Sequence, residues 1–236
     1  MSTNLTPFNF GMLYSARQYN NRLCANLNMI KIEELYIKRT PKELSDYLDK
    51  SYNLIGSSKT ETKLSRIIKG PYKPFFEELL PLSRFCNWKY KDREDVMCSL
   101  MPGSEGRDAL IHFTSTGIEH SLEITWPIDG KKKSTDAKMV NMRGYSDTLI
   151  YNTEYLNQII DRTIEGAKKK SLKDYHFSGG SSLVILIDTQ LFDMKNTEHL
   201  EVIDKLIFQL KDIAYQVDDV YLNLFPNKDF ITIKST

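Results

Sequence analysis

The chain of 236 residues is 41% hydrophobic and 27% charged, a balance that excludes a disordered or fibrous protein and provides for one large core, or a core with a helical appendage. No apolar run approaches the roughly 18 residues of a membrane-spanning helix, so no membrane partner is expected. The formal net charge of +1 hides an uneven distribution: nine basic residues face four acidic ones between Lys59 and Arg93, five face one across 131–143, and three face eight between Asp188 and Asp219. A basic surface for a polyanion can therefore coexist with near-neutrality.

Taken in order, the first hundred residues read as mostly helical. The stretch "MLYSARQYNNRLCANL" spaces Leu13, Ala16, Leu23 and Leu27 along one helical face. In "TPKELSDYLDKSYNLIG", Thr40 is an N-cap, Pro41 occupies the first helical position and Glu43 completes a capping box; Leu44, Tyr47, Leu48 and Leu54 form the inward stripe and Gly56 suits the stop. "KTETKLSRIIKG" makes a further short helix ending at Gly70. "FFEELLPLSRFCNWKY" has helical spacing but holds Pro81, which should kink or split it. "DALIHF" and "IEHSLEITW" then read as a β-hairpin across the turn "TSTG". A basic stretch follows with a short helix near Asp136 to Met142. Leu156, Ile159, Ile160, Ile164 and Ala167 mark a long amphipathic helix ending in three lysines. "SLVILID" is an apolar run suited to a strand covered on both faces. Thr197 can cap a helix carrying Leu200, Ile203, Leu206, Ile207, Leu210 and Ile213, and the strands "VYLNLF" and "FITIK" close the chain.

From residue 106 the order is β-β-α-α-β-α-β-β, which argues for an α/β protein with a mixed central sheet flanked by helices and a helical N-terminal region. A boundary falls near "MPGSEG", dividing a helical region 1–95 from a core 96–236, unless the helices pack onto that same core as one continuous domain. Cys24, Cys86 and Cys98 show no CxxC spacing and read as reduced thiols of a cytoplasmic protein, in line with an N-terminus that lacks a signal-peptide pattern.

The hairpin carries the chemistry. Side chains alternate along a strand, so Glu119, Ser121, Glu123 and Thr125 share one face, while His120, Leu122, Ile124 and Trp126 share the other. Glu123 and Thr125 should point away from the core or into a cleft at the sheet's edge. Asp108 lies 15 residues before Glu123 across the turn, so neighbouring strands can bring the two carboxylates together. Two hard oxygen ligands completed by water and a substrate phosphate suit Mg²⁺. This arrangement resembles the PD-(D/E)XK restriction-endonuclease-like superfamily: an acid at a strand start, a hairpin, a Glu-x-Lys strand, then a helix and an apolar strand. The resemblance covers about residues 75–190 and implies a restriction-endonuclease-like core, metal ligation by Asp108 and Glu123, and Mg²⁺-dependent cleavage of phosphodiester bonds.

Two positions depart from that pattern. Arg107 stands where a proline precedes the first acid, and Thr125 replaces the lysine of Glu-x-Lys. A hydroxyl can orient water but supplies no cation. A base from the following helix has to take over, with Arg162, Lys168 and Lys169 as candidates and Lys169 chosen. Glu78, or its neighbour Glu77, is the candidate third acidic ligand. Lys131, Lys132, Lys133 and Arg143 are candidate phosphate contacts, and Trp88 or Tyr90 a base-stacking aromatic. The expected partner is nucleic acid, DNA ahead of RNA, with a homodimer or a protein partner left open. His112 and His120 on paired strands suggest zinc only weakly, and no phosphate-binding loop or nucleophile-elbow motif occurs. The alternative function is that of a catalytically inactive nuclease-like fold serving as a protein-interaction or assembly module.

Overall fold

The computed structural model describes residues 30–103, 106–127, 130–144, 153–173, 179–189, 192–193, 195–227 and 229–236. The helix read at residues 12–27, and Cys24 with it, lie outside them.

Among the described residues, six strands form one sheet in chain order: β1 (Val96–Leu100), β2 (Ala109–Phe113), β3 (Ile118–Thr125), β4 (Ser181–Asp188), β5 (Asp219–Phe225) and β6 (Phe230–Lys234). The β1–β2, β2–β3 and β5–β6 pairs are antiparallel, whereas β3–β4 and β4–β5 are parallel. The mixed α/β sheet expected from the element order is therefore present. β1 was not expected: "VMCSL" is short and followed by glycine-rich sequence, and its pairing with β2 makes it a strand.

The helices are α1 (Pro41–Ser57), α2 (Lys59–Ile67), a short α3 (Tyr72–Pro74), α4 (Leu80–Tyr90), α5 (Gly130–Arg143), α6 (Thr153–Ser171) and α7 (Thr197–Lys211). The Thr40–Glu43 capping box forms as expected. Gly56 does not stop α1, which runs on to Ser57, and Ile55 rather than Leu54 completes the buried stripe, because it lies nearer the Leu44–Leu48 face at 3.6 residues per turn. Between α3 and α4 the backbone makes a π-helical turn, Phe75–Leu79. Pro81 explains it: without an N–H, it cannot continue the regular ladder back to Glu77. α5 is longer than the sequence suggested.

Two apolar layers cover the sheet. On one face Leu44, Phe75, Leu82 and Phe85 from the N-terminal helices join Leu122, Ile124, Val184, Leu186 and Tyr221 from the strands. On the other, Leu156, Ile159 and Ile160 of α6 and Val202, Leu206 and Leu210 of α7 meet Leu183, Ile185 and Leu222. Burying such side chains contributes about 1.5–3 kcal/mol each. The helical region thus shares a core with the sheet across the boundary drawn at residue 95. Glu123 lies beneath α6 and is buried, while Glu119, at the start of the same face, stays exposed.

Candidate functional site

Three segments converge on Glu123. β2 and β3 pair with Ala109 opposite Leu122, so Asp108, one residue ahead of β2, sits opposite Glu123. The Asp108 N–H donates to Leu122 O (3.0 Å), and Asp108 Oδ2 accepts from the Ile124 N–H (2.7 Å), which fixes its carboxylate against the β3 backbone. α6 runs over this face in the opposite sense to β3. A Cβ added at Gly166 would lie 3.2 Å from Thr125 Oγ1, so the glycine lets the helix descend onto the strand there. One turn later Lys170 reaches the acids.

Lys170 Nζ donates to Glu123 Oε2 and lies 3.4 Å from Asp108 Oδ2. Lys173 Nζ donates to the other Glu123 oxygen, Oε1, at 3.0 Å. The Glu123 side chain is only 1% exposed, against 22% for Lys170 and 43% for Lys173. Burial, then the charge of Asp108, push the Glu123 carboxyl above its ordinary value, with the lysines pulling the other way. For Lys170, burial alone would lower the ammonium; Asp108 and Glu123 outweigh it and hold the group above its ordinary value. Glu78, in the π-helical turn, is pushed up to about 7 by burial first, then by Asp108 and Glu77, while Lys73 and Lys170 oppose the shift. Three carboxylates and a lysine thus interact at one place.

The sequence-derived candidates divide. Asp108, Glu123 and Thr125 share the α6 side of the sheet, with Glu78 electrostatically coupled to Asp108. Lys169 does not join them: it is 75% exposed and pairs with Glu165 on the outer side of α6. Arg162 and Lys168 are exposed as well. The helical stripe held the signal for Lys170, which lies three and four residues past Ala167 and Gly166 and seven past the buried Thr163. Lys133 stands 5.2 Å above the Trp126 ring, and burial, opposed by Asp188 and Glu77, lowers its pKa. Trp88 packs against Tyr221 and Phe230, and Tyr90 is buried against Phe85 and Phe113. Arg143 is exposed at the end of α5. The side chains of Lys131 and Lys132 lie outside the described residues. His112 faces Glu119 while His120 faces Ile111, on opposite sides of the sheet, which removes the zinc pairing.

Do these residues fit Mg²⁺? The Lys170 ammonium already stands as a cation where the two carboxylates meet. Among the described residues no group of three His, Cys, Asp or Glu is arranged to hold a metal ion. An ion bound here would have Asp108 and Glu123 as its protein ligands and would leave its other positions to water and a substrate oxygen, the mode Mg²⁺ prefers. No known protein-family model, curated protein or solved structure matches the chain.

Proposed function

We propose that the chain is a Mg²⁺-dependent nuclease-like protein that binds nucleic acid and hydrolyses phosphodiester bonds. One observation carries this reading: a lysine from α6 stands between two strand carboxylates, supplying from the helix the cation that Thr125 does not. Asp108 and Glu123 would hold the metal. When bound, Mg²⁺ lowers the pKa of a coordinated water and offsets charge developing on the scissile phosphate. Lys170, seated on both acids, would balance negative charge when the phosphate arrives. The Thr125 hydroxyl, on the same face, is a second group able to orient water. Glu78 exchanges a proton near neutral pH, as a general acid or base requires. Water oxygen bonds to phosphorus as the bond to the leaving oxygen breaks; the water's proton passes to the Glu78 carboxylate, and the leaving oxygen takes a proton from solvent. Lys73 and Lys133, both close enough to act on Glu77, can neutralise flanking phosphates.

A metal-dependent cleavage assay on single-stranded and duplex DNA and RNA tests this. Glu123→Gln and Lys170→Ala should each lower cleavage by at least about 100-fold, the scale of losing one preorganised charge-stabilising group, whereas Lys169→Ala should cleave as the wild type does. Cleavage by Glu123→Gln at the wild-type rate would overturn the assignment.

A second reading, that of an inactive nuclease-like fold serving in assembly, is favoured by one feature: both oxygens of Glu123 are already engaged by ammonium groups. Absence of cleavage and of salt-dependent nucleic-acid binding, with a stable protein partner, would select it.

A further inference from the structure

The two lysines on Glu123 are not equivalent. Lys170 belongs to the body of α6, is the more buried and is shared by Asp108 and Glu123. Lys173 lies two residues beyond Ser171, the last residue of α6, where its backbone N–H still bonds to Lys170 O (3.2 Å). Its side chain is twice as exposed, and among the described residues its ion pair is with Glu123. Glu123, in turn, is almost completely shielded from water, so its ionised form depends on a positive partner: an ionised acid buried without one is strongly disfavoured.

We propose that Lys173 is a displaceable counter-ion, filling the Oε1 side of Glu123 in the metal-free protein and exchanging with a divalent cation when one binds. The inference rests on the metal-binding reading above and deepens it. An ammonium 3.0 Å from Oε1 uses the lone pair that a metal would need at about 2.1 Å, and two cations at one carboxylate oxygen repel each other. Of the two lysines, Lys173 is the more exposed and is cheaper to release, since its ammonium regains hydration on leaving. Lys170 stays with Asp108. Divalent-cation affinity is thus set partly by competition from within the chain, and the released Lys173 becomes free to meet a substrate phosphate beside the site. Metal loading and readiness for a polyanion are coupled through one side chain.

Calorimetric titration with Mn²⁺ alone, without substrate, tests the exchange on wild-type, Lys173→Ala, Lys173→Arg and Glu123→Gln proteins whose melting temperatures are checked first. Lys173→Ala should bind Mn²⁺ about fivefold more tightly than wild type, the scale of a half-exposed ion pair, and Lys173→Arg, which keeps the charge, should stay near wild type. In the unmodified protein, saturating Mn²⁺ should raise the labelling rate of Lys173 by an amine-reactive reagent, read by peptide mass, and leave that of Lys169 unchanged. Equal or weaker binding by Lys173→Ala, with Lys173 labelling indifferent to Mn²⁺ and binding abolished in Glu123→Gln, would overturn the exchange while leaving the metal site standing. Failure of both wild type and Lys173→Ala to bind Mn²⁺ would overturn the metal site and the exchange with it.

Discussion

Lys169 and Lys170 differ by one position and about 100° around α6, and that rotation separates a solvated ion pair with Glu165 from a cation seated between Asp108 and Glu123. A run of three lysines conceals the distinction as long as it is read as composition; continuing the buried stripe of α6 by one turn resolves it. Glu78 carries a consequence of its own. Its folded-state pKa of about 7 lies above the ordinary 4.5, so the native protein holds this proton more tightly than the unfolded chain does. The resulting stability is fully present below about pH 4.5 and is lost as pH rises through 7. Glu78→Gln should therefore remove that part of the pH dependence: its melting temperature, relative to wild type, should be higher at pH 8 than at pH 4.5. Parallel melting profiles for the two proteins across this range would contradict the environment assigned to Glu78.

At the scale of elements, the β3–β4 pairing is held by an unusually close approach at its start. A Cβ on Gly179 would fall 1.9 Å from Glu119 O, a backbone atom that cannot step aside. Beside it, His120 is buried and its pKa lowered mainly by that burial. Because Gly179 O only accepts, Nδ1 bears the proton and donates to it (3.2 Å), leaving Nε2 to accept from the Ser182 hydroxyl (2.7 Å). The histidine read from sequence as a remote zinc candidate is thus a clamp between β3 and β4. Gly179→Ala should destabilise the fold by about 1–3 kcal/mol, the range for overpacking that forces the backbone to shift, measured by chemical denaturation. A loss below about 0.5 kcal/mol would mean that the strands do not approach this closely. The Phe75–Leu79 turn shows the same dependence on neighbours: Pro81 announces a disturbance, but not that the disturbed turn would bring Glu78 within electrostatic reach of Asp108.

For the whole molecule, the shared apolar layer leads us to expect the helical N-terminal segment and the sheet to unfold together. Leu82 of α4 is wholly buried in the layer that also holds Leu122 and Val184. Its truncation to alanine should cost about 2–5 kcal/mol. The two tryptophans report from either side of residue 95, Trp88 on α4 and Trp126 just past β3. Variants retaining one tryptophan each, Trp126→Phe and Trp88→Phe, should melt at midpoints that Leu82→Ala lowers by equal amounts. A shift confined to the Trp88 signal would split the chain into two units. No helix among the described residues is long and apolar enough to cross a membrane.

By itself the sequence determined what depends on local spacing: the capping box at Thr40, the hairpin and its alternation, the continuous apolar run of β4, and hence a mixed α/β sheet in which Asp108 and Glu123 fall on neighbouring strands. Tertiary structure alone decided how α6 is rotated and how closely it descends at Gly166, and so which lysine enters the site. It also turned "VMCSL" into an edge strand and placed Glu123 under a helix instead of in water. The physical reason is common to all three. Periodicity records which side of an element is apolar, whereas the choice among adjacent charged side chains rests on packing distances between segments far apart in the chain.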